Sequence, residues 1–229
     1  MKHIELTPRL RMVADMIPAG AVLADVGTDH AYLPAALMLE GKIGSAIAAD
    51  LRQGPLSRAK ETVREYGLNG KIAFRLCDGL SGIRPEEVNA VSIAGMGGET
   101  IAAILEAAPW TAAGKHKLVL QPMTQAPRLR KWLREHGYRI RQERLAQEGK
   151  RLYCLLEVWG GAPDADAAKY GDLFTESLRQ DPLFPAFVQA QLTRYSRIAA
   201  GQAQSEADGE GEDLQQILTI LKEQANGTR

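Results

Sequence analysis

Five short apolar runs, separated by helical patterns, constrain the fold of this chain more than any other feature. The runs cover residues 21–26, 45–49, 72–77, 90–94 and 117–121. Each is apolar at most of its positions rather than at alternate ones, which is typical of strands that are buried on both faces. The segments between them carry apolar residues at helical spacing, as in the stripe Leu56, Ala59 and Val63. This alternation predicts an α/β fold in which helices cover both faces of a parallel sheet.

The pattern changes in the C-terminal part of the chain. Residues 138–145 and 151–159 are two β-rich stretches joined by a short polar turn, which predicts a hairpin that ends the sheet with antiparallel strands. A Gly-Gly-Ala-Pro motif then marks a boundary between two domains, residues 1–160 and residues 163–229. The second domain has two helical patterns separated by a stretch rich in glycine and acids, which predicts a helical hairpin, a coiled-coil-like appendage.

The charges of the chain are distributed unevenly although they sum to zero. Residues 127–151, hereafter the basic segment, contain nine basic and three acidic residues, a net charge of +6. From residue 163 onward, eleven acidic residues oppose six basic ones, a net charge of −5. The basic segment is a candidate surface for a phosphate backbone, and a solvated helix face with a hairpin is the alternative interpretation.

Composition also excludes several classes of protein. No run approaches the roughly 20 apolar residues that a membrane span needs, and the N-terminus has no hydrophobic signal core. Cys77 and Cys154 are too few and too far apart for a zinc motif or a disulfide framework. We therefore expect a cytoplasmic protein with no metal and no membrane contact, in which both cysteines act as small buried hydrophobes.

Carboxylates follow the first three apolar runs. Asp25, Asp50 and Asp78 lie at or just after the ends of these runs. Acids often close strands as turn residues or helix caps, but three at successive strand ends favour a ligand site at the carboxyl edge of the sheet. An acid after the second strand can accept hydrogen bonds from both hydroxyls of a ribose. In Asp78-Gly79, the carboxylate could accept from an exocyclic amine while the glycine lets a ring approach.

The loop after the first run departs from the dinucleotide-binding fingerprint. It has a single glycine, Gly27, followed by Asp29 and His30, where that fingerprint has three glycines. Two carboxylates, Asp25 and Asp29, and the His30 imidazole are unsuited to a pyrophosphate and suit a cationic ligand. This composition argues against an NAD-dependent oxidoreductase. After the fourth run, three glycines between residues 95 and 98 allow the backbone to approach a flat or bulky group, or simply make a tight turn.

Several of these motifs together resemble those of the bacterial tRNA (adenine(22)-N1)-methyltransferase family, which belongs to the class I S-adenosylmethionine-dependent methyltransferases. The motifs are Arg9-Leu10, Ala24-Asp25-Val26-Gly27-Thr28-Asp29-His30-Ala31-Tyr32-Leu33-Pro34, Asp78-Gly79-Leu80, Ile93-Ala94-Gly95-Met96-Gly97-Gly98 and Gln121-Pro122. The motifs that are specific to the family lie in the first 125 residues. The tail resembles that of the family only in being a coiled-coil-like appendage. The resemblance implies a Rossmann-like class I methyltransferase fold with seven strands, S-adenosyl-L-methionine as cofactor and methyl transfer to N1 of an adenine in the D-loop region of tRNA.

The resemblance also implies roles for individual residues. We expect Asp50 to bind the cofactor ribose, Asp78 its adenine amine and Arg9 its carboxylate. The expected cofactor-binding residues are Arg9, Asp25, Gly27, Asp29, Asp50, Asp78, Gly79, Ala94, Gly95 and Met96. The expected catalytic residues are Asp29, as a stabiliser of the cationic product, and His30 and Tyr32, which would orient the base or stack on it. The expected tRNA-binding residues are Gln121, Pro122, Arg128, Arg130 and Arg134, with the Gln121 amide offered to a base edge.

Other interpretations stay open at this level. Many amino-directed nucleic-acid methyltransferases carry an acid or Asn, two prolines and an aromatic residue after strand four, and this chain has Ala94-Gly95-Met96-Gly97 there. The alternatives are a methyltransferase of similar fold that acts on another RNA or a small molecule, and a noncatalytic nucleotide- or RNA-binding adaptor. The chain could act as a monomer or as a dimer formed through its tail.

Overall fold

A computed structural model describes residues 3–161, 170, 172–202 and 211–227. It contains a seven-stranded sheet in the order β3-β2-β1-β4-β5-β7-β6. The strands are β1 (Val22–Val26), β2 (Ser45–Asp50), β3 (Ile72–Leu76), β4 (Ala90–Gly97), β5 (Lys117–Thr124), β6 (Tyr138–Glu148) and β7 (Arg151–Gly160). The first five are parallel, and β7 runs antiparallel to both β5 and β6. This topology confirms the predicted α/β fold class.

Seven α-helices accompany the sheet in the described part of the chain. They are α1 (Pro8–Met16), α2 (Tyr32–Leu39), α3 (Gln53–Glu65), α4 (Gly98–Glu106), α5 (Ala126–Glu135), α6 (Phe184–Gln202) and α7 (Gly211–Gly227). Helix α1 begins where the sequence dictates, because the Thr7 hydroxyl accepts a hydrogen bond from the Leu10 N–H and Pro8 occupies the first turn. This start places Arg9 in the first turn of α1.

Two apolar clusters cover the two faces of the parallel sheet. One joins β1 and β2 to α1, α2 and α3, and the other joins β1 and β4 to α4 and α5. Leu23 belongs to the first cluster and its neighbour Ala24 to the second, as expected for a strand buried on both sides. Because both faces are covered, the carboxyl edge of the parallel strands is where a ligand can reach the sheet.

A third apolar cluster fastens the helical tail to the hairpin. It combines Leu145 of β6 and Cys154 of β7 with tail residues such as Phe174, Phe187 and Leu221. Cys154 is buried, as predicted, whereas Cys77 is only half-buried. Residues 162–169 lie outside the described residues, so the division at 160 and 163 stays a prediction.

None of the helices in the described residues is long and apolar enough to cross a membrane.

Candidate functional site

A cavity of about 490 Å³, hereafter the acidic cavity, opens at the carboxyl edge of β1, β2 and β4. This volume lies within the roughly 300–1,000 Å³ range of small-molecule sites. The structure brings most of the predicted cofactor and catalytic residues together in its wall. They are Arg9, Asp25, Gly27, Asp29, His30, Tyr32, Asp50, Ala94, Gly95 and Met96. Leu10, Thr28, Ala31, Leu33 and Arg52 complete the lining.

Asp50 is held in place at the end of β2. Its side chain is only 9% exposed, and one carboxylate oxygen accepts a hydrogen bond from the Arg52 backbone N–H at 2.8 Å. The other oxygen has no hydrogen-bond partner among the residues that the structure describes. A fixed carboxylate with an available oxygen in the wall of a cavity is suited to bind ribose hydroxyls.

Asp25 lies inside β1 rather than at its end. Its carboxylate is buried and accepts a hydrogen bond from the Ser92 hydroxyl of β4 at 2.7 Å. Burial raises the pKa of Asp25 above its ordinary value, and the hydrogen bond from Ser92 acts in the opposite direction. Sequence reasoning missed Ser92, although a serine within the apolar fourth run was a usable signal.

Gly27 makes room at the floor of the cavity. Its φ is +74°, a left-handed conformation that favours glycine. A Cβ atom added there would overlap the Met96 methyl carbon, so a side chain would displace the end of the Met96 side chain. The loop after β1 therefore favours glycine for its conformation, and Gly27 lies beside Met96 of β4.

The loop from β1 to α2 presents an aromatic surface at the rim of the acidic cavity. His30 and Ala31 both have positive φ, 69° and 53°, which is unusual for residues other than glycine. This backbone lets the rings of His30 and Tyr32 stack with centroids 5.0 Å apart and planes 3° apart. Strained backbone of this kind is concentrated at functional sites. A flat, partly exposed surface beside a cavity is suited to stack on a base.

Asp29 is exposed and already has a cationic partner. Its Oδ1 atom accepts hydrogen bonds from Nη2 and Nε of Arg58, at 2.6 and 3.1 Å. Arg58 comes from α3, and no local pattern predicts that it reaches this loop. The Arg58 guanidinium reduces the negative field that Asp29 offers to a developing cation.

Gln121 lies inside the protein, contrary to the expectation that its amide contacts a base. It is fully buried, and its side-chain oxygen accepts hydrogen bonds from Arg9 Nη1 at 2.7 Å and from the Gly95 N–H at 3.0 Å. Its amide nitrogen donates to the Pro122 carbonyl at 3.0 Å. Gln121 thus positions Arg9 and Gly95 near the end of β4, both of which line the acidic cavity.

Three further predicted residues lie outside the acidic cavity. Asp78 is exposed and follows the end of β3 by two residues. Gly79 has φ of +53°, and a Cβ atom there would lie 2.9 Å from Ile104 of α4, so this glycine serves helix packing. Pro122 is buried and pairs with Met96 in the sheet.

Arg130 is buried rather than displayed to solvent, which corrects its placement on an RNA-binding face. Its guanidinium donates to the Glu143 carboxylate of β6, and the two side chains are 3% and 0% exposed. Arg130 also donates to the Asp172 carbonyl, and Glu143 accepts from the Thr175 N–H. Burial lowers the pKa of Arg130 but Glu143 outweighs it, so the net shift is upward.

Tail acids neutralise other parts of the basic segment. Arg134 pairs with Asp172 at 2.7 Å, and Arg144 pairs with Asp181 at 3.4 Å. Arg128 is exposed and pairs with Glu99 of α4 at 2.5 Å. Two arginines of the basic segment are therefore neutralised by tail acids, and of the three predicted arginines only Arg128 has an exposed side chain.

Comparisons with known proteins agree with this geometry. A family model described as a methyltransferase domain matches residues 6–156. The tRNA (adenine(22)-N(1))-methyltransferase of Bacillus subtilis is 43% identical over 171 residues, which cover 75% of this chain and 71% of that protein. The solved B. subtilis m1A22 tRNA methyltransferase superposes with a TM-score of 0.81 at 34% identity, over 97% of this chain and 100% of that one.

A second solved relative is a complex. It is M. capricolum TrmK bound to the natural cofactor product S-adenosyl-homocysteine. It superposes with a TM-score of 0.80 at 26% identity, over 99% of this chain and 100% of that one. The fold, the matched domain and the identity to the B. subtilis enzyme confirm the resemblance: this chain belongs to the tRNA (adenine(22)-N1)-methyltransferase family.

Proposed function

We propose that this protein transfers the methyl group of S-adenosyl-L-methionine to N1 of adenine 22 in tRNA. The observation that carries the proposal is the acidic cavity, which brings Asp25, Gly27, Asp50 and Gly95 together at one edge of the sheet. The chain that forms this cavity is 43% identical to the tRNA (adenine(22)-N(1))-methyltransferase of Bacillus subtilis. A noncatalytic adaptor would have no need for such a cavity.

The residues of the acidic cavity fit the cofactor group by group. Asp50 offers a fixed carboxylate to the ribose hydroxyls, and Arg9 offers a guanidinium, oriented by Gln121, to the amino acid carboxylate. Gly27 and Gly95 let the backbone pass close to the methionine part, since each has positive φ. When bound, the cofactor supplies a methyl group activated by a sulfonium.

The acceptor atom needs little acid–base help. N1 of adenine has a free lone pair and no proton, so no side chain has to remove a proton before methyl transfer. The protein contributes mainly by positioning, which can supply a large part of the rate enhancement. N1 takes part in base pairing, so the adenine must be exposed or extruded, and the His30–Tyr32 stack at the rim is suited to receive it.

The methylated ring carries a positive charge, and Asp29, an exposed carboxylate beside the His30–Tyr32 stack, is the candidate to stabilise it. This role requires the Arg58–Asp29 pair to open when RNA binds. The tail packs its apolar residues on the hairpin of its own chain, which supports action as a monomer. A tRNA substrate supports a cytoplasmic location.

A methyl-transfer assay tests the proposal. Purified protein is incubated with labelled S-adenosyl-L-methionine and unmodified bacterial tRNA transcripts that contain adenine 22, and the modified base is mapped by mass spectrometry. We expect N1-methyladenine at position 22. The same transcript with guanine at position 22 is the control, and it should gain no label.

Two results would contradict the proposal. One is the absence of any methyl transfer to tRNA by protein that binds the cofactor. The other is methylation at N6 or at another nucleotide, because the geometry would then serve a different acceptor.

A further inference from the structure

A second cavity, of about 300 Å³, lies between the β5–α5 turn, strand β7 and helix α6. Its wall contains three arginines, Arg130, Arg151 and Arg194, and we name it the arginine cavity. Among the described residues that line it, no aspartate or glutamate occurs. The acidic cavity, by contrast, contains three aspartates and two arginines. The two cavities therefore differ in the sign of the charge that they attract.

Two of these arginines have charges available for a ligand. Arg130 is engaged by Glu143, as described above. Arg151 of β7 and Arg194 of α6 are exposed, and neither has an acidic partner at ion-pair distance within the described ranges. They come from the hairpin and the tail, respectively, so the cavity exists only because the tail packs on the hairpin. Two unneutralised guanidinium groups around one cavity favour an anion, and their planar geometry suits phosphate.

Side-chain interactions connect the linings of the arginine cavity and the acidic cavity. Tyr153 lines the arginine cavity, and its ring centroid lies 5.8 Å from the guanidinium carbon of Arg9. Met123 lines the same cavity, and its sulfur accepts a hydrogen bond from Gln121 at 3.6 Å. Arg9 in turn lines the acidic cavity. The two cavities are therefore neighbours in the fold.

We propose that the arginine cavity binds a nucleotide of the substrate RNA that flanks the target adenine, with its phosphate on Arg151 and Arg194 and its base against Tyr153. The inference rests on the proposed function for its RNA substrate. Extrusion of the target base costs unstacking energy, which contacts to the neighbouring strand must offset. Stacking of a base on an aromatic ring tolerates any sequence, so such a site grips the RNA without specifying it.

Paired variants test this inference. In the double variant Arg151→Ala/Arg194→Ala, we expect tRNA affinity to fall roughly tenfold to a hundredfold, since each arginine loses a charge-assisted contact. The slope of log affinity against log salt should become shallower by about one unit per arginine. Affinity for S-adenosyl-L-methionine should not change, because neither side chain lines the acidic cavity. Arg197→Ala is the matched control, being exposed on the same helix but outside the arginine cavity.

Each other outcome has a definite meaning. Wild-type tRNA affinity and salt slope in the double variant would overturn the site. An equal loss in Arg197→Ala would also overturn it, because the general field of α6 would then explain the binding. If the wild-type protein itself neither binds nor methylates tRNA, the proposed function fails, and that result is distinct from a failure of the arginine cavity.

Discussion

The acidic cavity and the basic segment are both marked in the sequence by a concentration of charge, yet they differ in how the charges are used. Asp25, Asp29 and Asp50 meet in the wall of one cavity. Arg130, Arg134 and Arg144 instead pair with Glu143, Asp172 and Asp181. The acids collect around a ligand site, whereas these three arginines help to hold the tail against the hairpin.

The two regions differ in how far the backbone determines where a charged side chain lies. An acid at the end of a parallel strand is placed by the topology, because all such ends meet at one edge of the sheet. An arginine on a surface helix is long and flexible, so its position depends on which acid comes near it. A charged run therefore indicates a ligand site only where the backbone already determines where its side chains lie.

The largest effect that we expect is on stability, when the buried pair of Arg130 and Glu143 is broken. Glu143→Gln leaves the Arg130 guanidinium buried without its partner and should lower the free energy of unfolding by about 3–5 kcal/mol. Glu99→Gln breaks the exposed pair with Arg128 and is the matched control, with an expected loss of about 0–1 kcal/mol. Urea unfolding measures both. Equal losses in the two variants would show that the buried pair does not fasten the tail.

Asp50→Ala should weaken binding of S-adenosyl-L-methionine about a hundredfold or more, because two charge-assisted hydrogen bonds to the ribose are lost. The fold should be retained, as the side chain lies at the edge of the sheet. Asp15→Ala removes an exposed aspartate of α1 and should leave binding unchanged. Calorimetric titration measures both affinities, and an unchanged affinity in Asp50→Ala would remove Asp50 from the site.

Gly27→Ala should weaken cofactor binding roughly tenfold (about 1.4 kcal/mol), because the added methyl group competes for space with Met96. Gly20→Ala is the matched control: its φ is also +74°, but nothing lies within 4 Å of the added Cβ. Both variants should lose about 1–2 kcal/mol of stability from the left-handed conformation. Only Gly27→Ala should lose affinity, and equal affinities would show that the loop makes no close contact with the cofactor.

The smallest effect concerns the pH dependence of stability. Burial raises the pKa of Asp25, so the native state binds its proton more tightly than the unfolded chain does. Stability should therefore fall as the pH rises from the ordinary aspartate pKa, about 3.9, through the raised native value. Asp25→Asn keeps an acceptor for Ser92 and removes this fall. Unfolding free energies measured across this range should diverge as the pH rises, and parallel curves would contradict the shift.

Much of the fold could be predicted from sequence because its signals are local. The apolar runs predicted strands β1 to β5, and the turn after Gln147 predicted the β6–β7 hairpin. The predicted ends of these strands lie within a few residues of the observed ends. Asp78 shows how an error of two residues in a predicted strand end affects a site prediction. Strand β3 ends two residues before Asp78, and the Asp78 side chain is exposed to solvent. The motif at residues 25–32 indicated most of the acidic cavity because one continuous loop supplies those side chains.

The predictions of site residues that the structure corrects involve hydrogen-bond partners that are distant in the sequence. Gln121 was expected at a base edge, but it accepts from Arg9, 112 positions away in the sequence. Arg130 was expected at the surface, but Glu143, 13 positions further along, is buried beside it. Arg58 reaches Asp29 across 29 positions. Such pairs depend on the tertiary packing of separate elements, which no local pattern reports.

That the acidic cavity holds S-adenosyl-L-methionine is tested most directly by calorimetric titration of the wild-type protein with this cofactor and, separately, with NAD. We expect saturable binding of one S-adenosyl-L-methionine per chain, displaced by S-adenosyl-homocysteine, and no binding of NAD. Absence of S-adenosyl-L-methionine binding, or binding of NAD at the same site, would contradict this assignment of the cavity.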